Sequence, residues 1–552
     1  MQNEVKTVSG NIVDLFNYRI YPGTLRISNG KIVDIIQEQK YYKTYIIPGF
    51  VDSHIHIESS MLTPSEFARA AVVHGTVATV SDPHEIANVL GIDGVKYMIE
   101  NAKAVPMKFY FSAPSCVPAT PFETSGADLD PGKVEQLLRL SEIKYLGEVM
   151  NFPGVIHGDP DVMKKIHSAK KYSKVIDGHA PGLRGRDLKT YVAAGISTNH
   201  ECMSIDEALE DLRSGMKVQI RKGSAADIFE ECIPILEEHY EYCMFCSDDK
   251  HPDDLIKGHI NEMVRGSINH GIDAMKVLMV ASVNPVLHYG LDVGLLRVGD
   301  YADFLEIDNL ENVTILKTYI NGEIAASDGK TLIPRKQSKI VNNFKAQRKE
   351  VTHFSLPYSR GKINVIEAVD GQLVTDKLVI NPKVDAGNIV SDVERDILKI
   401  AVVNRYSNTK PILGFVKNFG LKKGAIASSV AHDSHNIVAV GVNDEELCKA
   451  VNLIIEKQGG IGAVSGDREI ILPLPIAGIM SDEDYVTVAE KYTKIDEMAK
   501  SMGSKLRAPF MTMSFMSLSV IPKLKLTDRG LFDVEKFKFI DVIDKNAETT
   551  IR

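Results

Sequence analysis

Three observations predict an α/β fold built on a (β/α)8 barrel of the TIM type. Eight short apolar or β-branched runs, at 45–52, 76–81, 108–112, 145–149, 175–178, 196–199, 217–221 and 242–246, alternate with stretches of helical character at 64–74, 86–102, 131–140, 161–172, 184–194 and 205–214. Strands alternating with helices indicate a parallel sheet, and eight such units suggest a closed barrel. Polar residues of metal-ligating type cap several of these runs, in the order H-x-H, Glu, His, His, Asp. A barrel gathers its active site at the carboxyl ends of its strands, which is where these residues fall, so the fold and the site support each other.

The flanks carry different signals. Residues 1–47 hold short alternating runs, and Asn29-Gly30 between Leu25-Arg26-Ile27 and Ile32-Val33-Asp34 is a hairpin signal. A second hairpin is expected at 313–324, with Asn321-Gly322 as its turn. The two segments, 1–47 and 294–345, are expected to pair into one small discontinuous β-sandwich around a catalytic barrel at 48–293. Beyond the charged stretch 336–350 an α+β domain is expected over 350–552. Its strand-like runs at 363–369, 412–416 and 437–442 alternate with amphipathic helices. Asn443-Asp444-Glu445-Glu446 has capping-box spacing and Gly459-Gly460 ends the helix that follows; Ser481-Asp482-Glu483-Asp484 starts another in a similar way.

Composition narrows the function classes. A chain of 552 residues exceeds one ordinary core, which predicts two or three domains, and 44% hydrophobic content permits well-filled ones. With 64 Lys and Arg against 73 Asp and Glu the net charge is −9, and no long basic run is present, which argues against nucleic acid as partner. No apolar stretch approaches a membrane span. The start, MQNEVKTVSG, lacks the pattern of a signal peptide. The six cysteines are scattered and expected to be reduced, so a cytoplasmic enzyme is expected. Cys243 and Cys246, three apart on a strand, face opposite sides and are read as core rather than as a metal clamp.

The chemistry starts from His54 and His56. Side chains at i and i+2 of a strand share a face roughly 7 Å apart, so both rings can close on one ion. Glu148, His179, His200 and Asp248 continue the series, each after its own run. A lone histidine there is more often a hydrogen-bonded surface residue. Six such residues in this order point to a hydrolytic metal centre.

PGFVDSHIHIESS, followed by Glu148, His179, His200 and Asp248, resembles the amidohydrolase superfamily, in which a small β-sandwich beside the barrel is common. The phrases SDPHEIANVLG, GEVMNFPGV, DGHAPGL, TNHE and CSDDKHP resemble, more specifically, the adenine deaminases of bacteria and archaea, as does GAIASSVAHDSHNIVAVG in the carboxyl-terminal third. The H-x-H pair is shared too widely to select a substrate. The later phrases are more selective, and the last of them implies that the 350–552 domain belongs to adenine deaminases rather than to amidohydrolases at large.

The resemblance implies a binuclear centre. His54, His56 and Asp248 would hold a first divalent ion, His179 and His200 a second, and Glu148 would bridge them where many amidohydrolases use a carboxylated lysine. Mixed histidine and carboxylate donors suit manganese, iron or zinc, and the family favours Mn2+ or Fe2+. Water between two such ions would ionise near neutral pH, its pKa lowered toward about 7. The hydroxide would attack C6 of adenine, Asp248 would carry its proton to the departing amine, and hypoxanthine and ammonia would result. Ring nitrogen N1 needs a second acid, for which Glu85, His84 and Glu58 are candidates. Asp249 would orient a histidine or cap the next helix. The cluster His432-Asp433-Ser434-His435-Asn436 is either a plain turn or a lid segment whose His435 contacts the purine or a further ion. A homodimer is expected. The competing readings are a cyclic amide hydrolase of the dihydroorotase or hydantoinase kind, which the glutamate at 148 disfavours, and a non-catalytic barrel, which would have lost its ligands.

Overall fold

The computed structural model describes residues 5–224 and 226–545. Residues 1–4, part of the amino-terminal stretch read for a targeting signal, and the last seven residues of the 350–552 unit lie outside them.

The flanking segments combine in one eight-stranded sheet. Its order is Lys330–Thr331, Glu323–Ser327, Ile315–Ile320, Phe304–Ile307, Tyr45–Pro48, Lys6–Asp14, Arg19–Ser28 and Lys31–Gln37. The join is antiparallel, Phe304 opposite Pro48 and Ile307 opposite Tyr45. Asn29 and Gly30, like Asn321 and Gly322, have positive φ, as a two-residue hairpin turn requires. The two turns meet: a Cβ on Gly30 would lie 3.3 Å from that of Asn321. Ile12, Leu25, Ile27, Phe304 and Tyr319, from both flanks, share one buried cluster.

The run at 45–52 is two strands, where one was expected. Tyr45–Pro48 belongs to the flanking sheet, and Phe50–Ile55 opens the parallel array. Gly49 is the joint, so close to the next strand that a Cβ would lie 2.5 Å from both γ carbons of Val77. The helical stretch 86–102 likewise divides into His84–Leu90 and Ile92–Ala102.

Five parallel strands follow in sequence order, Phe50–Ile55, Thr76–Ser81, Lys108–Ala113, Ile143–Val149 and Val175–Gly178. Three more, Thr198–Asn199, Lys217–Arg221 and Cys243–Cys246, form a second parallel sheet. Backbone hydrogen bonds cross both gaps between the sheets. Ser197 N–H donates to the Ile176 carbonyl (3.0 Å), Asp248 N–H to that of His54 (3.0 Å), and His56 N–H to that of Asp248 (3.3 Å). Between strands lie helices such as Pro64–Ala71, Pro131–Leu138, Pro160–Lys171, Gly185–Ala193 and Ile205–Arg213. Proline in the first turn, its missing N–H harmless there, and acceptor caps such as Asp130, Asp159 and Ser204 set their starts.

The carboxyl-terminal region is a mixed nine-stranded sheet whose central strands are Ile412–Lys417, Ile397–Val403, Ile437–Gly441 and Ala425–Ser428. Helix Asp444–Lys457 packs on one face. Asn443 caps it by accepting the Glu446 N–H, and Leu447, Val451 and Ile454, spaced at four and three, are fully buried. Burying each such side chain is worth about 1.5–3 kcal/mol. The cap of the later helix, Tyr485–Ser501, is Asp484, which accepts from Val486 N–H. This region also reaches the parallel array: Asn436 Nδ2 donates to the Thr124 carbonyl (2.9 Å), Ser481 N–H to that of Met61 (2.8 Å), and Phe515, Leu518 and Ile521 pack with Met150.

Candidate active site

The strand ends converge. His54 is the fifth residue of its strand and His56 the first beyond it; their rings meet edge-on with Nε2 atoms 3.2 Å apart. The Nδ1 of His56 faces the Asp82 carbonyl at 3.0 Å. A carbonyl only accepts, so Nδ1 carries the proton and Nε2 is left as a donor atom for a metal. Asp248 takes a left-handed conformation (φ 52), uncommon outside glycine. That turn brings its Oδ1 to 3.5 Å from His54 Nε2 and 3.2 Å from His56 Nε2.

Glu148, near the end of Ile143–Val149, joins the two halves of the site. Its Oε1 lies 3.3 Å from His56 Nε2 and 3.4 Å from His84 Nδ1; its Oε2 lies 2.8 Å from His179 Nδ1 and 3.2 Å from His200 Nε2. The His200 ring stacks on that of His54 at 4.0 Å. Asp82 holds this carboxylate's backbone, accepting from Glu148 N–H (3.0 Å) and from Ser112 Oγ–H (2.7 Å). All six residues expected as ligands are 6% exposed or less, and they fall in one group.

Two members of the site were not foreseen. Arg221 ends the strand Lys217–Arg221; it donates to Asp248 Oδ2 (2.7 Å) and grips Glu201 through both terminal nitrogens. Glu201 Oε1 is in turn 3.7 Å from both His179 Nδ1 and His200 Nε2. Arg221 carries the same strand-end signal as the others, but a search for metal-ligating types passes over a cation. Glu201 directly follows His200 and was hidden by it.

Charge follows these contacts. Burial and the neighbouring His200 push His54 well below the usual imidazole range. Burial opposes charge on His56 too, but the carboxylates of Asp248 and Glu148 outweigh it and raise its pKa well above that range. Burial alone would raise Glu148 and Asp248; the histidines around the first, His179 foremost, and Arg221 beside the second hold both well below the ordinary carboxylate range. Four imidazoles and anionic oxygens, with the donor atoms of His54, His56 and Asp248, and of His179, His200 and Glu201, within 4.8 Å in each trio, fit divalent cations.

The opposite wall comes from the helix start at His84 and from the carboxyl-terminal region. His84 Nε2 lies 3.3 Å from Glu85 Oε1 and 3.8 Å from Asp433 Oδ1. Glu85 is paired with both His432 and His435. These imidazoles and His84 overcome the upward push of burial and keep its carboxyl well below the ordinary range. His432 lies flat on the Phe515 ring, 4.5 Å between centroids. Burial would lower its pKa, but Glu85 and Asp249 outweigh that and raise it to about 9. The pocket between these walls has a polar side of His56, His84, Glu85, Glu148, His179, His200 and Asp248 and an apolar side of Met150, Leu373, Phe515, Leu518 and Ile521.

Not every expected residue lies on that wall. Glu58 turns to the start of the His84 helix, where it accepts the Ile86 N–H (3.1 Å), and burial raises its carboxyl to about 7. His435 stands behind Glu85, while His432 and Asp433 take the wall position. Asp249 accepts from Ser59 Oγ and lies 3.8 Å from His432 Nε2; the next helix, Pro252–Leu255, is preceded by His251 instead. All six cysteines are buried and free.

Comparison with known proteins places the chain. Residues 45–325 match the amidohydrolase family and residues 372–538 match the adenine deaminase C-terminal domain. The adenine deaminase of Salinibacter ruber is 52% identical over 537 residues, covering 97% of this chain and 98% of that one. That of Methanosarcina mazei is 50% identical over 551 residues, with 98% and 99% covered, and that of Borreliella burgdorferi 49% over 542, with 97% and 99%. The chain belongs to the adenine deaminase family, within the amidohydrolases.

Proposed function

We propose that this enzyme hydrolyses adenine to hypoxanthine and ammonia, a reaction of purine salvage, at a centre of two divalent ions. The observation that carries the reading is the convergence of His54, His56, Glu148, His179, His200 and Asp248 from distant strand ends into one buried cluster, all of them but His54 lining one pocket. His54, His56 and Asp248 would hold one ion, His179 and His200 the other, with Glu148 between; manganese or ferrous iron suits the donor set best, and zinc is the alternative. Bound there, such ions supply a water acidic enough to ionise near neutral pH.

The chain's own groups then handle protons and orientation. Asp248 takes the proton of the attacking water and passes it to the exocyclic nitrogen, which leaves C6 as ammonia. Arg221 and Glu201 keep that carboxylate aimed. Glu85 and His84, 3.3 Å apart, form the pair that serves N1: the proton leaves the imidazole of His84 as C6 becomes tetrahedral, and the Glu85 carboxylate keeps that imidazole charged and aimed. Phe515, Leu518 and Ile521 meet the flat face of the base and exclude bulk water. We read the eight parallel strands as one closed (β/α)8 barrel, 1–47 with 294–345 as its sandwich, and 350–552 as a domain that roofs the site. The enzyme is read as cytoplasmic and homodimeric. Purified protein supplied with manganese should convert adenine, with matching ammonia release, and leave adenosine and dihydroorotate unchanged. Turnover of dihydroorotate without adenine turnover would replace this reading with that of a cyclic amide hydrolase.

A further inference from the structure

His432 and His435 come from a loop some 350 residues beyond Glu85, yet both imidazoles close on its carboxylate, His432 Nδ1 on Oε1 and His435 Nε2 on Oε2. All three side chains are 2% exposed or less. The loop joins Ala425–Ser428 to Ile437–Gly441 and is itself anchored: Asn436 Nδ2 donates to the Thr124 carbonyl, and Tyr406 Oη–H to that of Ser434 (2.6 Å). The His435 tautomer follows from its other nitrogen. Ala431 N–H donates to Nδ1 at 3.2 Å. Nδ1 is therefore the acceptor and Nε2, the atom beside Glu85 Oε2, carries the hydrogen, so His435 needs no charge to present an N–H to that oxygen. His432 is fixed differently, lying flat on Phe515 with its far nitrogen toward Asp249. Each carboxylate oxygen of Glu85 thus has one imidazole of the carboxyl-terminal domain behind it. The carboxylate's remaining contacts are His84 and the pocket, which Glu85 and His84 both line.

We propose that His432 and His435 are positioning residues for catalysis, a two-imidazole clamp through which the carboxyl-terminal domain sets the orientation of the Glu85 carboxylate against His84, its partner in proton delivery. The proposal rests on the reading of Glu85 as a catalytic group. It makes the domain necessary for adenine deamination, because a carboxylate anchored only by its own helix would rotate out of line. Misplacing such a group by about 1 Å can cost on the order of 10²-fold in rate.

The test uses the full-length, manganese-loaded enzyme carrying His435→Leu, His435→Gln, His432→Leu or Glu85→Gln, with kcat, KM for adenine, bound metal and unfolding midpoint measured for each. His435→Leu and His432→Leu should lower kcat by roughly 10- to 100-fold, with KM within about threefold and metal content unchanged. A glutamine at 435 can accept from Ala431 N–H and donate to Glu85, so His435→Gln should recover kcat to within about tenfold of the parent. Parental kcat in both leucine variants, with Glu85→Gln inactive, overturns the clamp while leaving Glu85 in place. Full activity in Glu85→Gln removes the premise as well. A rise in KM alone assigns His435 to substrate binding and also overturns the clamp. If the leucine variants do not fold, folded but inactive His435→Gln contradicts the tautomer argument and active His435→Gln supports it.

Discussion

Gly147→Ala should disable the enzyme although a glycine has no side chain to offer a metal or a substrate. A Cβ there would lie 2.4 Å from Asp82 Oδ2 and 2.8 Å from its Oδ1 and Cγ, whereas ordinary contact begins near 3.4 Å. The Asp82 carboxylate must therefore retreat by about 1 Å or the strand must bow by as much, since repulsion rises steeply inside contact distance. Neither movement is local. Asp82 Oδ2 accepts from Glu148 N–H, Oδ1 from Ser112 Oγ–H, and the Asp82 carbonyl fixes the His56 ring through Nδ1. One added methyl group thus displaces both the Glu148 carboxylate and one imidazole. Overpacking of this kind costs about 1–3 kcal/mol of stability, and a displacement near 1 Å at the reacting groups costs on the order of 10²-fold in kcat. Adenine absorbance gives kcat, and elemental analysis gives bound metal. Parental kcat and metal content in a folded Gly147→Ala protein would refute the argument that Asp82 sets the geometry of the site.

Other outcomes follow from single contacts. Asp248→Asn should lower kcat by about 10²- to 10⁴-fold, the range of a lost proton carrier, with KM for adenine changed far less; an equal fall in both would contradict that role. Arg221→Met leaves Glu201 and Asp248 facing each other without their cation and should cost about 3–5 kcal/mol, seen as a lower unfolding midpoint; an unchanged midpoint would contradict it. Lys525 is buried, donates to the carbonyls of Leu373 and Phe515, and is pushed by burial from 10.5 down to about 7. Between those values the unfolded chain holds a proton that the folded chain has shed, so this group's contribution to stability rises with pH across that window; below about 7 the buried charge is a constant cost. The midpoint of Lys525→Met relative to the parent should therefore fall as pH rises from 7 toward 10, and a pH-independent difference would show that Lys525 does not titrate there.

Strand ends were legible in the sequence because a short apolar run followed by His, Asp or Glu reports two things at once, a buried strand and a polar residue at its exit. His54, His56, Glu148, His179, His200 and Asp248 were found that way. What the pattern could not report was direction across the chain. Gly49 looks like any residue of a long apolar run, and only the approach of Val77 divides that run between two sheets. Arg221 stands at a strand exit but bears the wrong charge for a ligand search. Glu58 has the right chemistry and is spent on the helix start at Ile86. The roof of Phe515, Leu518 and Ile521, and the placing of His432 ahead of His435, depend on contacts across hundreds of residues that no local spacing encodes.

Deamination of adenine is driven, on this mechanism, by two ions held by these six side chains. The decisive experiment is stepwise addition of manganese to metal-free protein, with ammonia release from adenine followed at each step and bound metal counted. Activity should appear with added metal and reach its plateau at two equivalents per chain, with Glu148→Gln failing to reach it. Full activity in metal-free protein, a plateau at one equivalent, or an unchanged titration in Glu148→Gln would exclude the two-ion mechanism.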